Sequence, residues 1–245
     1  MSKYQATGVY SNTEIKAAIA DGTIVCEPYT PAHVSEASLD ITLGSYFYKQ
    51  EYQDGYRVYN PFDEEDVRRY FKGPLEAQSH AEWSEDHKHA LFHNIPKDHP
   101  VIVLRPQERI LGHTQEFVGI RPTGGACEIR SRSSWGRNGV AVCFDAGWID
   151  PGYINRITLE IYNLNKYESV VLPVGERVGQ IIFHHTGPVE GDYSSGRGGK
   201  SGKYQHTSDL DELIRTWSPE QMLPKAYKDI RTKPRSVKGL PKGIK

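Results

Sequence analysis

The sequence predicts an all-β protein with few short helices, of the barrel or jelly-roll kind. In Ile157-Thr158-Leu159-Glu160-Ile161-Tyr162, aliphatic residues alternate with polar ones. That is the period of a half-buried strand, with Ile157, Leu159 and Ile161 on one face and Glu160 on the other. Asp150-Pro151-Gly152-Tyr153, just before it, has turn chemistry. Proline fixes φ and glycine accepts a positive φ, so two strands meet at a corner that carries Asp150. Val170-Val171-Leu172 and Val178-Gly179-Gln180-Ile181-Ile182-Phe183 flank Pro173-Val174-Gly175-Glu176 in the pattern of a hairpin.

The remaining elements follow in order. Residues 13–20 predict a short helix with Ile15, Ala18 and Ile19 on one face, Asn12 or Thr13 as its cap and Gly22 as its stop. Residues 50–100 are rich in Asp, Glu, His, Lys and Tyr and poor in aliphatics, as expected of an elaborated surface insertion between strands, with a small helix over 63–71. The segment 209–217, DLDELIRTW, has helical spacing, and the tail from Pro224 carries mainly Lys and Arg, the composition of a loosely ordered arm. The expected organisation is one domain over 1–205, with 50–100 as its insertion, followed by a helix and basic tail over 206–245.

Composition sets limits on function. The chain has 245 residues, 37% hydrophobic and 25% charged, enough to bury a sizeable core. The net charge of −1 supplies no global field for nucleic acid or a membrane, so a polyanion must be held by a local cationic site. Cys26, Cys127 and Cys143 are scattered without paired spacing, which suits a reducing cytoplasm. No apolar run approaches the ~18 residues of a membrane span, and the first residues have no apolar signal region.

Four motifs share one stretch: SRSSWGR at 131–137, DAGWIDPGY at 145–153, ITLEIYN at 157–163 and PVGERVGQ at 173–180. Upstream lie YSNTEIKAAIADGTIVCEPY at 10–29, SEASLDITLG at 35–44 and LRPQERILGHTQEFVGI at 104–120, and downstream lie Tyr193 and Lys203-Tyr204-Gln205. In content and order this set resembles the dCTP deaminase family, whose members share a fold with the trimeric dUTPases. The resemblance covers roughly residues 10–205. It implies a distorted dUTPase-like barrel, a homotrimer with active sites between subunits, and metal-independent hydrolytic deamination of dCTP to dUTP and ammonia. Some members continue to dUMP and pyrophosphate.

The resemblance also assigns roles. Glu160 becomes the general acid/base that primes water and returns protons to departing ammonia, a role with a typical benefit of ~10²–10⁴-fold. Ser133 and Arg137 lie beside that Glu and its water, where an Arg stabilises negative charge in the tetrahedral state. Asp150 occupies the position that orients water toward the α-phosphate in dUTPases and lies near the sugar in deaminases. Arg132 and Ser134 fall at triphosphate positions, with Gln180, Tyr193, Lys203 and Tyr204 also on the nucleotide. Ala146 would read the base edge through its backbone, and Tyr153 would pack under deoxyribose and exclude a 2′-hydroxyl. Taken alone, the same residues have plainer readings: Glu160 as a barrel carboxylate paired with an Arg, Arg137 as a surface cation, Asp150 as a turn former and Tyr153 as a core aromatic.

Two departures bear on the reaction. Family deaminases usually show His-x-Thr-Ala where this chain has Cys143-Phe144-Asp145-Ala146. Asp145 adds an acid near the base pocket that would bind an exocyclic amine or oppose the charge of Glu160. Thr207 stands where the family usually has Gln. The glycine-rich SSGRGGKSGKYQ at 194–205 would fold Arg197, Lys200 and Lys203 over a triphosphate, and it lacks P-loop spacing. Mg²⁺ is expected with the triphosphate, held by phosphate oxygens and water. Zinc is not expected, because His80-Ala81-Glu82 imitates H-x-E but no P-C-x-x-C follows. Two alternatives remain open: a dUTP pyrophosphatase alone, and a nucleotide-binding regulator that has lost turnover.

Overall fold

The computed structural model describes residues 8–50, 58–191, 193 and 202–229. The amino-terminal part runs through α1 (Asn12–Ala20), β1 (Ile24–Glu27), β2 (Leu39–Thr42) and β3 (Tyr46–Gln50). The insertion then supplies α2 (Glu64–Tyr70), β4 (Phe71–Glu76), β5 (Gln78–Ser79) and α3 (His80–Asp86). The centre holds β6 (Pro100–Leu104), β7 (Arg109–Ile120), β8 (Ala126–Ser131), α4 (Ser133–Arg137), β9 (Val140–Ala141) and β10 (Trp148–Ile149). The last elements are β11 (Ile154–Asn163), β12 (Val170–Pro173), β13 (Arg177–His184) and α5 (Leu210–Thr216).

The architecture is mostly β with few short helices, as the alternation predicts. Among the described residues the strands form three antiparallel sheets: β4-β3-β7-β11-β9 with β1 on the far part of β7, then β10-β8-β13-β2, and β12-β6-β5. Their inner faces enclose a core that includes Ile15, Ile41, Leu43, Leu159, Ile161 and Phe183. Each fully buried aliphatic contributes roughly 1.5–3 kcal/mol. Gly119 lets β11 begin tight against β7, because a Cβ there would collide with the Tyr153 carbonyl oxygen.

Two local expectations change. The helix cap is Ser11, not Asn12 or Thr13, and it forms a capping box with Glu14. The segments around Pro173-Val174-Gly175-Glu176 are not a hairpin: β12 pairs with β6, while β13 pairs with β2 and β8. Turn chemistry specifies a reversal but not the partner. Here the turn carries the chain between sheets, its amides donating from Val174 to the Pro100 carbonyl and from Gly175 to that of Leu43.

The insertion and the carboxy-terminal segment cover the outer face of the β7/β11 sheet. Val67 and Phe71 pack with Tyr48, Leu111, Met222 and Leu223 in one cluster. Leu213 packs with Phe117 and Ile154, with Trp217 against them. The Arg156 guanidinium lies between the Phe117 and Trp217 rings, at 5.1 and 4.6 Å. Buried Gln205 ties the segment down by accepting from the Ile154 amide at 2.7 Å and donating to the Gly152 carbonyl at 3.1 Å. Residues 224–227 are therefore half-buried against this wall and not part of a loose arm, Lys228 and Asp229 are exposed, and 230–245 lie outside the described residues.

His113 lies under this cover, 4.7 Å from the Trp217 ring. Its Nε2 accepts from the Tyr46 amide at 3.2 Å and its Nδ1 donates to the Thr114 carbonyl at 2.8 Å, so the ring is neutral. Burial pushes its pKa down to about 4, with the nearby Arg156 cation adding to the effect against the Thr114 hydrogen bond. The unfolded chain protonates this ring near pH 6.5. A depressed folded pKa means that the stabilisation is complete above about pH 6.5 and is lost as pH falls toward about 4, up to about 3 kcal/mol in all. Urea unfolding should show this loss, and His113→Gln should flatten it; an unchanged pH slope in that variant would contradict the assignment.

Candidate active site

The outward face of β11 presents Thr158, Glu160 and Tyr162, level with His113, Leu111 and Arg109 of β7. Glu160 therefore faces away from the aliphatic core, as its alternation predicts, and has Leu111 as its direct neighbour. In front of it is a cleft of about 340 Å³. It is lined by Asp150, Tyr153, Tyr193, Ala146, Thr158 and Glu160, and also by Arg109, Leu111, Trp148, Tyr204, Met222 and Pro224.

Asp150 sits where the sequence places it, on the corner between β10 and β11. Its carbonyl accepts from the Tyr153 amide at 3.1 Å, and its Oδ1 accepts from Trp148 Nε1 at 3.2 Å. The Tyr153 ring meets that of Tyr193 edge-on at 4.8 Å. Burial raises the pKa of both phenols, so both remain protonated at neutral pH. The Cys143 thiol is pushed up to about 11, first by burial and then by the charge of Glu160, with Asp145 adding to the rise and Arg130 opposing it. Cys143 is therefore a neutral thiol, and the acid that replaces the family's usual Thr shares an electrostatic neighbourhood with Glu160.

A second group of predicted residues lies elsewhere on the chain. Arg132 caps the five-residue helix α4, on which Ser133, Ser134 and Arg137 are exposed. The helix is fixed by Trp135 Nε1 donating to the Arg177 carbonyl at 3.0 Å. Buried Asp40 accepts ion pairs from Arg132 at 3.3 Å and Arg177 at 3.1 Å. Gln180 stands directly opposite Asp40 and Arg130 in the sheet. None of these residues lines the cleft of Glu160 within one chain.

The carboxy-terminal positions are mixed. Tyr204 lines the cleft; its hydroxyl accepts from the Lys225 amide at 3.1 Å, and its ring carries the Lys225 ammonium at 5.0 Å. Lys203 is paired with Asp229 at 2.7 Å. Thr207 accepts from the Asp209 amide at 3.2 Å, so it serves the turn before α5. Arg197 and Lys200 lie outside the described residues. His80 commits both ring nitrogens to backbone groups: Nε2 accepts from Phe92 at 2.7 Å, and Nδ1 lies 3.1 Å from the Ile95 carbonyl. It organises the insertion and has no lone pair free for a metal.

Sequence reasoning did not assign Arg109, Leu111, Trp148, Thr158, Met222 or Pro224 to the cleft. Trp148 lies inside a motif that was read only for Asp145, Ala146, Asp150 and Tyr153. Arg109 and Leu111 share a strand face by simple alternation, a signal that was present. Met222 and Pro224 reach the cleft only through long-range packing of the carboxy-terminal segment.

A mostly β scaffold carries two carboxylates and two edge-on phenols around one cleft, and the family model described as dCTP deaminase-like matches residues 9–186. The chain belongs to that family. A relative from Halobacterium salinarum, "dCTP deaminase, dUMP-forming", is 30% identical over 195 residues, covering 78% of this chain and 88% of its own. Among solved structures, the 2′-deoxycytidine 5′-triphosphate deaminase from Agrobacterium tumefaciens gives a TM-score of 0.49 at 20% identity, over 73% of this chain and 48% of that one. This chain thus spans about half of that one. The EIAV dUTPase gives 0.31 at 19% identity, over 40% of this chain and 78% of its own.

Proposed function

We propose that the protein hydrolyses dCTP to dUTP and ammonia, and then hydrolyses dUTP to dUMP and pyrophosphate. One observation carries this reading: Asp150, Tyr153 and Glu160 line the same cleft. A nucleotide whose deoxyribose rests on Tyr153 presents its α-phosphate to the Asp150 corner and its ring to Glu160. The name of the Halobacterium salinarum relative includes the dUMP-forming step, which agrees with two carboxylates at one site.

In the first step Glu160 takes a proton from water as the oxygen adds to C4. It returns that proton to N3, then passes the proton of the new C4 hydroxyl to the amino nitrogen, so that the C4–N bond breaks, ammonia leaves and the ring keeps a C4 carbonyl and an N3–H. In the second step Asp150 directs another water to the α-phosphorus, and the bond to the bridging oxygen breaks to release pyrophosphate. Ser133 and Arg137 join Glu160 from a neighbouring copy in a homotrimer, stabilising the negative charge that develops on the attacking oxygen and N3 of the tetrahedral state. Arg132, Ser134 and Gln180 come with them toward the phosphates, and Tyr193, Lys203 and Tyr204 close over the nucleotide. The exposure of Ser133, Ser134 and Arg137 supports this arrangement, as do Phe144 and Trp148, which are 61% and 58% exposed and are large apolar rings for a second copy to cover. Ala146 reads the base edge.

Mg²⁺ would accompany the triphosphate, held by phosphate oxygens and water, and would neutralise part of its charge. The Asp150 carboxylate that lines the cleft is a hard oxygen ligand of the kind Mg²⁺ takes.

Incubation with Mg²⁺ and dCTP should release ammonia, dUMP and pyrophosphate, and dUTP should yield the last two. Pyrophosphate from dUTP without ammonia from dCTP would favour a dUTP pyrophosphatase, the reading that the Cys143 and Asp145 departures keep open. Binding without product would favour a regulator.

A further inference from the structure

Tyr204 borders two cavities. It lines the cleft of Glu160 and, alone among the residues of that cleft, it also lines a second cavity of about 500 Å³. Lys203, Lys225 and Lys228 line this second cavity, with His206 as its other basic side chain, and no carboxylate does. A 3₁₀ turn, closed by the Lys228 amide donating to the Lys225 carbonyl at 3.1 Å, brings the last two lysines to the same cavity.

The charges there are only partly answered. Asp229 pairs with Lys203 at 2.7 Å, but among the described residues neither Lys225 nor Lys228 forms an ion pair. The half-buried Lys225 ammonium lies over the Tyr204 ring at 5.0 Å and donates to the Lys203 carbonyl at 3.3 Å, which occupies one of the three donors an ammonium carries. Burial, and then the charge of Lys228, lowers its pKa, so its cation is held there at a cost. The neutral side chains give no relief. Gln205 spends its amide on Ile154 and Gly152, and Gln221 spends its own on Asn155 and the Thr216 carbonyl. Both tie the segment down and leave the lysines as the groups a ligand meets. Neighbouring cations in a concavity without acids suit a multiply charged anion.

We propose that Lys225 and Lys228 form a binding site for a phosphate or pyrophosphate group, whose oxygens accept from both ammonium groups at once. The group is either a free anion or the end of a nucleotide whose base occupies the adjoining cleft. The second source is within reach of the corner that carries Asp150: the Gly202 amide at the rim donates to the Tyr193 carbonyl at 2.9 Å, and the Tyr193 amide donates to the Pro151 carbonyl at 3.3 Å. Residues 225 and 228 lie beyond the 9–186 matched by the family model, so the site belongs to the carboxy-terminal segment of this chain.

The full-length protein should be titrated calorimetrically with inorganic pyrophosphate in the absence of Mg²⁺. The wild type should bind it, and the double variant Lys225→Gln with Lys228→Gln should bind about tenfold or more weakly, the scale of a hydrogen bond to a charged group. Lys228→Gln alone, at an exposed position, should show a smaller loss and decides the matter if the double variant fails to fold. Titrations with dCTP and deoxycytidine separate the two sources. If the lysines hold the nucleotide's own phosphates, the double variant loses affinity for dCTP but not for deoxycytidine. If they hold a free anion, affinity for dCTP is unchanged and pyrophosphate still binds protein saturated with dCTP. Wild-type affinity of the lysine variants for both pyrophosphate and dCTP would overturn the proposal, and so would a wild type that binds neither. An equal loss on deoxycytidine would also overturn it, because the lysines would then merely support the wall of the cleft. Each titration reads binding without turnover, so a failure of the deamination chemistry at Glu160 would leave these outcomes intact.

Discussion

Glu160→Gln abolishes ammonia release from dCTP, with kcat falling by about 10²–10⁴-fold while the nucleotide still binds. The amide keeps the size and one acceptor of the carboxylate but takes up no proton at neutral pH. The position lies on the outward face of β11, and the inward residues Leu159 and Ile161 hold the strand in the core, so the fold should be unaffected. A thermal midpoint close to that of the wild type, together with calorimetric binding of dCTP, separates lost chemistry from lost structure. Unchanged turnover would remove Glu160 from its role. Pyrophosphate release from dUTP should survive, because that step depends on Asp150.

Mixing two inactive variants restores activity. Arg137→Ala should fail for want of charge stabilisation, and Glu160→Gln for want of a base. Within one chain the two residues belong to separate groups, Arg137 exposed on α4 and Glu160 in the cleft of β11. In the proposed homotrimer, each site would join the cleft of one copy to the α4 of the next. Random reassembly of equal amounts therefore gives about a quarter of sites with both residues intact, and activity should return to about a quarter of wild type. The variants should be unfolded together and refolded, with separately refolded samples as controls. A mixture as inactive as its components would place both groups in one chain, or remove Arg137 from the site.

Much of the site could be read from local pattern. Alternation turns Glu160 outward from Leu159 and Ile161, and Pro151-Gly152 makes the corner under Asp150; neither needs knowledge of a partner strand. Pairing is where local pattern stops. The turn at Pro173–Glu176 looks like any reversal, and only the available edges of β6, β2 and β8 separate β12 from β13. The cap of α1 moved by one residue because Ser11 has Glu14 in place to close a capping box.

The far wall of the cleft was invisible for a different reason. Met222 and Pro224 lie in a segment whose lysines suggest a solvated arm, yet Gln205, Asn155 and Gln221 tie it to the start of β11 through buried hydrogen bonds. Such contacts join residues about fifty or more positions apart, beyond the reach of any window of periodicity. The insertion was legible as an insertion, but not as the partner of that wall through Val67 and Phe71.

The most direct test is a crystal structure of the Glu160→Gln variant with dCTP and Mg²⁺. The expected result is a base in the cleft with deoxyribose on Tyr153 and C4 facing position 160. One water should lie about 2.6–3.2 Å from that side chain, with Ser133 and Arg137 of an adjacent copy closing around it. A base bound outside the cleft, or one whose C4 points away from position 160, would contradict the proposed chemistry.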